Sequence, residues 1–142
     1  AKVETCEALF ERLSRPAPHG VVLAGDLNTP RREFADGTLE TFASNHPAHE
    51  ARWDAAERSL LEGLGEFGFR DAFRAVNGYD RGDVSWVMHT RSRRKAAHRL
   101  DHVIVSAELE PLACDYIHGW REAGLSDHSA IEATLAARPT RD

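Results

Sequence analysis

The chain has 142 residues, 42% hydrophobic and 29% charged, and 18 Lys and Arg against 23 Asp and Glu leave a net charge of -5. At this length a folded domain buries roughly 68 to 70% of the surface its unfolded chain exposes, so residues 1–142 read as one globular unit, which excludes a disulfide miniprotein, a coiled coil and a disordered tail. No apolar run approaches the ~20 residues of a membrane span, and Glu4 and Glu7 interrupt the stretch where a secretory leader would be apolar; the expectation is a cytoplasmic protein with no membrane partner.

Helical spacing begins at once. Val3, Cys6, Leu9, Phe10 and Leu13 recur on one stripe, with Glu4, Glu7, Glu11 and Arg12 between them, and Pro16-Ala17-Pro18 stops the helix. Val21-Val22-Leu23-Ala24, bounded by Gly20 and Gly25, predicts a buried strand packed on both faces. A loop carrying Asn28-Thr29-Pro30 follows it. After a polar, turn-rich stretch, Trp53, Ala56, Leu60, Leu61, Leu64 and Phe67 predict a second helix ending at Gly65 and Gly68. Short strands are predicted over 71–76, 84–89, 100–106, 112–117 and 130–135. Helices first and strands after predict an α+β fold, in which two helices cover only one face of the sheet. Cys6 and Cys114 fit no metal or redox spacing and read as buried reduced thiols.

Three clusters set ionisable groups beside apolar strand segments: Gly25-Asp26-Leu27-Asn28, Leu100-Asp101-His102 and Ser126-Asp127-His128. Asp26 and Asn28, two residues apart, share one side of an extended chain; they either converge on one chemical point or form an Asx-turn that ends the strand. Asp101 opens an apolar strand and needs a partner. His128 offers one, an imidazole oriented by a distant carboxylate, which leaves Asp127 free for a cation. An acidic total argues against indiscriminate nucleic-acid binding, yet Arg91, Arg93, Arg94, Lys95 and Arg99 form a local basic run without an intervening acid. That run is either a solvated loop or a phosphate contact.

Taken in order, the three clusters resemble the endonuclease/exonuclease/phosphatase superfamily, whose C-terminal half carries a Gly-Asp-Phe-Asn signature, an Ile-Asp-Tyr strand start and a terminal Ser-Asp-His. Within it the chain is most similar to the exonuclease III type abasic-site endonucleases. Gly68-Phe69-Arg70-Asp71-Ala72-Phe73-Arg74 resembles their Gly-Leu-x-Asp-Ala-Phe-Arg segment, and Val84-Ser85-Trp86 followed by basic residues and Arg99-Leu100-Asp101 resembles their aromatic DNA-contacting loop. The likeness runs from Val21 to Leu135. His102 stands where the superfamily has Tyr, and beside Asp101 it competes with His128 as that carboxylate's partner; Leu27 stands where it has Phe.

The resemblance implies a four-layer αββα sandwich, of which this chain supplies roughly the C-terminal half, and a phosphodiester hydrolase using Mg²⁺ or Mn²⁺. It implies that Asp26 orients or deprotonates the attacking water, that Asn28 holds that water or a phosphate oxygen, and that His128, oriented by Asp101, stabilises charge on phosphate. Asp26, Asn28 and Asp127 are the implied metal ligands; Trp86, Arg91, Arg93, Arg94 and Lys95 are the implied contacts to duplex DNA. The superfamily's N-terminal half supplies an Asn and a Glu for the principal metal and a Tyr or His acting on phosphate, and nothing upstream of Val21 plays those parts, so the missing N-terminal half is an expected partner. Two alternatives remain open: a small-molecule or lipid phosphodiesterase or phosphatase of the same superfamily, and a non-catalytic binding module. Zinc binding by His46 and His49 beside Glu50 is disfavoured, because Pro47 makes that segment a loop.

Overall fold

The computed structural model describes residues 1–46, 50–89 and 95–139, with the backbone alone at Asn45, His89 and Lys95. The first helix, α1 (Lys2–Leu13), matches its predicted span and buries Cys6. The second predicted helix divides. Its first part, α2 (Ala51–Leu61), buries Ala56 and Leu60, and a 3-10 turn over Gly63–Phe67 buries Leu64. Gly68, at φ +80°, ends the turn in a left-handed conformation that disfavours any side chain.

Three strands form the central sheet: β1 (Val22–Asp26), β4 (Arg70–Asp71) and β7 (Asp101–Val105), antiparallel, with β7 in the middle. Two small ribbons flank it, β2 (Arg32–Glu33) with β3 (Leu39–Glu40), and β5 (Trp86–His89) with β6 (Lys95–His98). A longer hairpin pairs β8 (Leu109–Ile117) with β9 (Ala130–Ala137). The architecture is mixed α+β, as expected, and among the described residues no helix is long and apolar enough to cross a membrane.

Strand alternation divides β7 between two cores. Ile104 joins Leu23, Cys6, Ala56, Leu60 and Leu64 under α1 and α2. On the opposite face Val103 and Val105 pack with Ala72, Phe73, Cys114 and Tyr116, backed by Ile131, Ala133 and Leu135. The second face of the central strand is therefore covered by the β8–β9 hairpin and a third helix, α3 (Ala72–Asn77). β1 is not packed on both faces, contrary to expectation: Leu23 is half-buried against the helices, while Val22 is 46% exposed and Ala24 is exposed on this edge strand.

α3 corrects one sequence expectation, a strand over 71–76. The strand stops at Asp71 because that side chain accepts a hydrogen bond from Arg74 N (3.1 Å) and caps a helix. Ala72 and Phe73, in the first turn of that helix, are both fully buried. Both cysteines are buried and free, as expected. Burial pushes the Cys114 thiol up to about 11.

Candidate active site

Antiparallel register brings the first two motifs together. Asp26 ends β1, Asp101 begins β7, and the two are direct cross-strand partners, so both carboxylates lie on one face. Leu27 N donates to Leu100 O (2.8 Å) and extends the pairing one step further. Gly25, at φ +138°, adopts a backbone conformation that a side chain would strain, which accounts for glycine immediately before Asp26.

Asn28 takes a left-handed turn at φ +52°. Its backbone N–H donates to Asp26 Oδ1 (2.8 Å) and its side-chain Nδ2 to Asp26 Oδ2 (3.2 Å). The two readings of Asp26 and Asn28 thus prove to be one: the Asx-turn is the device that swings the Asn28 amide onto the Asp26 carboxylate.

The third motif reaches this point through the start of β5. Ser129 N donates to Ser85 O (2.7 Å), and His128 bridges to Trp86. The Ser85 hydroxyl is buried and accepts from both Leu100 N (2.9 Å) and Asp101 N (3.1 Å), so one serine ties the 126–129 segment to the head of β7. His128 Nδ1 donates to Asp101 Oδ2 (2.7 Å) while Nε2 stands 4.0 Å from Asp26 Oδ2. Burial works against a charge on this ring. The Asp101 hydrogen bond and the negative charges of Asp101, Asp26 and Asp127 outweigh that penalty and raise the imidazole above the usual histidine range. The result is a histidine fixed through one nitrogen, with the other facing the Asp26 carboxylate at 4.0 Å.

Trp86 is half-buried, not a core residue. Its Nε1 donates to Asp127 Oδ2 (3.3 Å), and its ring stacks on His98 at 5.9 Å with the planes 11° apart. A cleft of about 890 Å³, lined by Pro30, Arg31, Arg32, Asp83 and His98 among others, opens beside it. The structure therefore draws Asp26, Asn28, Asp101, Asp127, His128 and Trp86 from four distant segments into one region. Arg91, Arg93 and Arg94 lie outside the described residues, and Lys95 is described only as the first backbone position of β6.

Arg99, the fifth cation of the basic run, is no surface residue: it is buried in a bidentate pair with Glu33 (2.6 and 2.8 Å) and a further bond to Asp71 (2.9 Å). His102 does not compete for Asp101. Alternation turns it to the other face, where Nδ1 meets Asp71 Oδ2 and Nε2 meets Thr29 O, each at 2.8 Å. His49 of the disfavoured zinc reading lies outside the described residues, and His46 rests against the Trp53 ring.

Four further residues serve the site without a signal in the sequence. Ser85 is one. Tyr116 donates its hydroxyl to Asp101 O (2.6 Å), and Lys2 donates to Asn28 O (2.6 Å). Glu57, fully buried, holds Lys2 and also accepts from Trp53 Nε1 (2.8 Å) and Phe42 N (2.9 Å).

Asp26, Asn28 and Asp127 offer two carboxylates and an amide oxygen, hard donors that suit Mg²⁺ or Mn²⁺ and not zinc. The Asn28 amide nitrogen is engaged by Asp26, which leaves its oxygen as the remaining acceptor. Among the described residues no three His, Cys, Asp or Glu side chains form a metal-holding group. Mg²⁺ commonly keeps several waters and takes one or two carboxylates plus phosphate oxygens, and this donor set fits such a partial shell. No protein-family model matches the chain, and no curated protein matches it.

Proposed function

We propose that this chain carries the catalytic end of a Mg²⁺- or Mn²⁺-dependent phosphodiester hydrolase acting on duplex DNA, of the exonuclease III type, as the C-terminal half of a four-layer αββα sandwich. The observation that carries the reading is the position of His128, bonded to Asp101 through one nitrogen and facing Asp26 with the other, while Asn28 braces the same Asp26 carboxylate. These are the residues of the three motifs that resemble the superfamily, and separate stretches of chain deliver them to one point.

Phosphodiester hydrolysis needs an in-line nucleophile and positive charge on the oxygens of the reacting phosphate. Asp26, 35% exposed, is accessible to a water and orients it or takes its proton. Asn28 fixes the direction of that carboxylate. His128 donates from Nε2 to a phosphate oxygen, and Asp101 keeps it aimed. Asp26, Asn28 and Asp127 would hold a divalent ion, which would supply charge neutralisation and make a nearby water more acidic. Trp86 presents a half-exposed ring for stacking against a base or sugar, and Arg91, Arg93, Arg94 and Lys95 provide the cations for the DNA backbone.

Mg²⁺-dependent cleavage of a duplex oligonucleotide with an abasic-site analogue tests this, using the chain alone and the chain joined to its upstream coding segment, each beside Asp26→Asn. Cleavage lost in the Asp26→Asn protein is the expected result. Absence of cleavage in both forms overturns the DNA reading.

A further inference from the structure

The loop that carries Asn28 is held from two sides by donors that belong to neither the nucleophile nor the phosphate end of the site. On one side Lys2, at the start of α1, donates from Nζ to the Asn28 carbonyl (2.6 Å). Its ammonium is itself held by the buried Glu57 and lies 5.5 Å and 5.9 Å from the ring centres of Phe42 and Trp53. On the other side His102, fully buried on β7, meets the next carbonyl, Thr29 O, with Nε2 (2.8 Å). Two consecutive carbonyls, that of Asn28 and the next, are thus gripped by donors from separate elements, directly after the Cα of Asn28, whose left-handed backbone is unusual for a non-glycine.

The geometry assigns Lys2 and His102 as paired positioning residues that hold the Asn28–Thr29 turn so that the Asn28 amide stays on Asp26. The assignment rests on the phosphodiesterase reading for its effect on rate, but not for the clamp itself. His102 cannot move freely to release its grip. Its Nδ1 lies against Asp71 Oδ2, which also accepts from Arg99, while Arg99 is bound to Glu33. A carboxylate and a carbonyl are both acceptors, so the ring satisfies the pair only by donating from both nitrogens. Lys2 is similarly fixed, because leaving Glu57 would strand a fully buried carboxylate short of its cation. Neither donor touches the reacting atoms; each acts through Asn28.

Two substitutions at one position separate this role from general support of the fold. Asparagine places its amide nitrogen near the imidazole Nδ1 and glutamine near Nε2, so His102→Asn keeps a donor for Asp71 and His102→Gln keeps one for Thr29. The measurement is hydrogen exchange of the Asn28 backbone and side-chain amides by NMR on the metal-free chain, beside kcat and KM for the abasic-site duplex with Mg²⁺. Losing one bond to a charged donor corresponds to about tenfold or more, so Asn28 amide exchange is expected to rise, and kcat to fall, by about tenfold in His102→Asn and in Lys2→Met. KM stays within about twofold, and His102→Gln stays close to the parent in both readouts. A purely structural role makes the Asn and Gln variants lose thermal stability and rate together, and equal exchange and equal kcat in the two would overturn the assignment. Should Lys2→Met not fold, the His102 pair still decides. If the exchange rates separate as expected while no variant changes kcat, the clamp stands and its effect on rate is overturned; if neither the chain nor its form joined to the upstream segment hydrolyses the duplex, the clamp stands and the phosphodiesterase reading falls.

Discussion

Two His–Asp pairs sit back to back on β7, and they do opposite things. Asp101 holds His128 at 2.7 Å, and the next residue, His102, is held by Asp71 at 2.8 Å. In the first pair the ring is 26% exposed and its second nitrogen stands free of a short bond, facing a carboxylate at 4.0 Å. In the second the ring is 0% exposed and both nitrogens are occupied. A His–Asp pair is therefore poised for chemistry only when one nitrogen remains for a third party and solvent or substrate reaches it. When both are taken, the same two residues fasten the backbone.

The largest break in this comparison comes at the open pair. His128→Asn removes the imidazole donor while disturbing little packing, and kcat is expected to fall by about 10²- to 10⁴-fold, far beyond the small stability loss that comes with the Asp101 bond. The closed region should respond in the opposite sense. Arg99→Met leaves Glu33 and Asp71 buried without their shared cation, and breaking such a pair costs about 3 to 5 kcal/mol of folding stability, measured by urea denaturation. Trp86→Ala should weaken DNA binding by roughly 1 to 3 kcal/mol in a salt titration, with the slope against salt retained because no phosphate contact is lost.

Smaller effects sharpen the contrast through pH. Burial opposes ionisation of Glu33, but hydrogen bonds from Arg99 and Arg74 hold its carboxylate down at about 2. Its folded value is depressed, so its contribution to stability is complete above about pH 4.3 and is lost as the pH falls toward 2. His128 runs the other way: its folded value is raised, so its contribution is complete below about pH 6.5 and is lost as the pH rises through that elevated value. Denaturation midpoints across pH should therefore show an acid limb, shared with the depressed carboxylate of Asp71, that Glu33→Gln reduces, and a weaker alkaline limb that His128→Gln reduces.

Much of the candidate site is legible because it is assembled from short motifs beside apolar runs. Asp26 with Asn28, Asp101, and Asp127 with His128 each announce themselves locally, and α1 and β1 follow from spacing and flanking Gly and Pro. The rivalry between His102 and His128 for Asp101 was also decidable in principle, since neighbours on a strand face opposite ways. Asp71 shows where local reading fails. Its carboxylate is at once a helix cap, the partner of Arg99 and the partner of His102, and only the first of these is a local signal. Lys2, Ser85 and Tyr116 left no trace, because each matters through a backbone carbonyl or N–H brought near by long-range pairing, and a main-chain group has no letter in the sequence.

Ser85 is a junction of three elements. Its N–H, carbonyl and hydroxyl bind His98, Ser129 and the start of β7 respectively, so the foot of the β5–β6 hairpin is bolted to the strand that presents Asp101 and to the segment that presents His128. A hairpin anchored at its base in this way lets its sequence vary while Asp101 and His128 keep their places, so under the proposed function substrate range and catalysis are free to diverge separately.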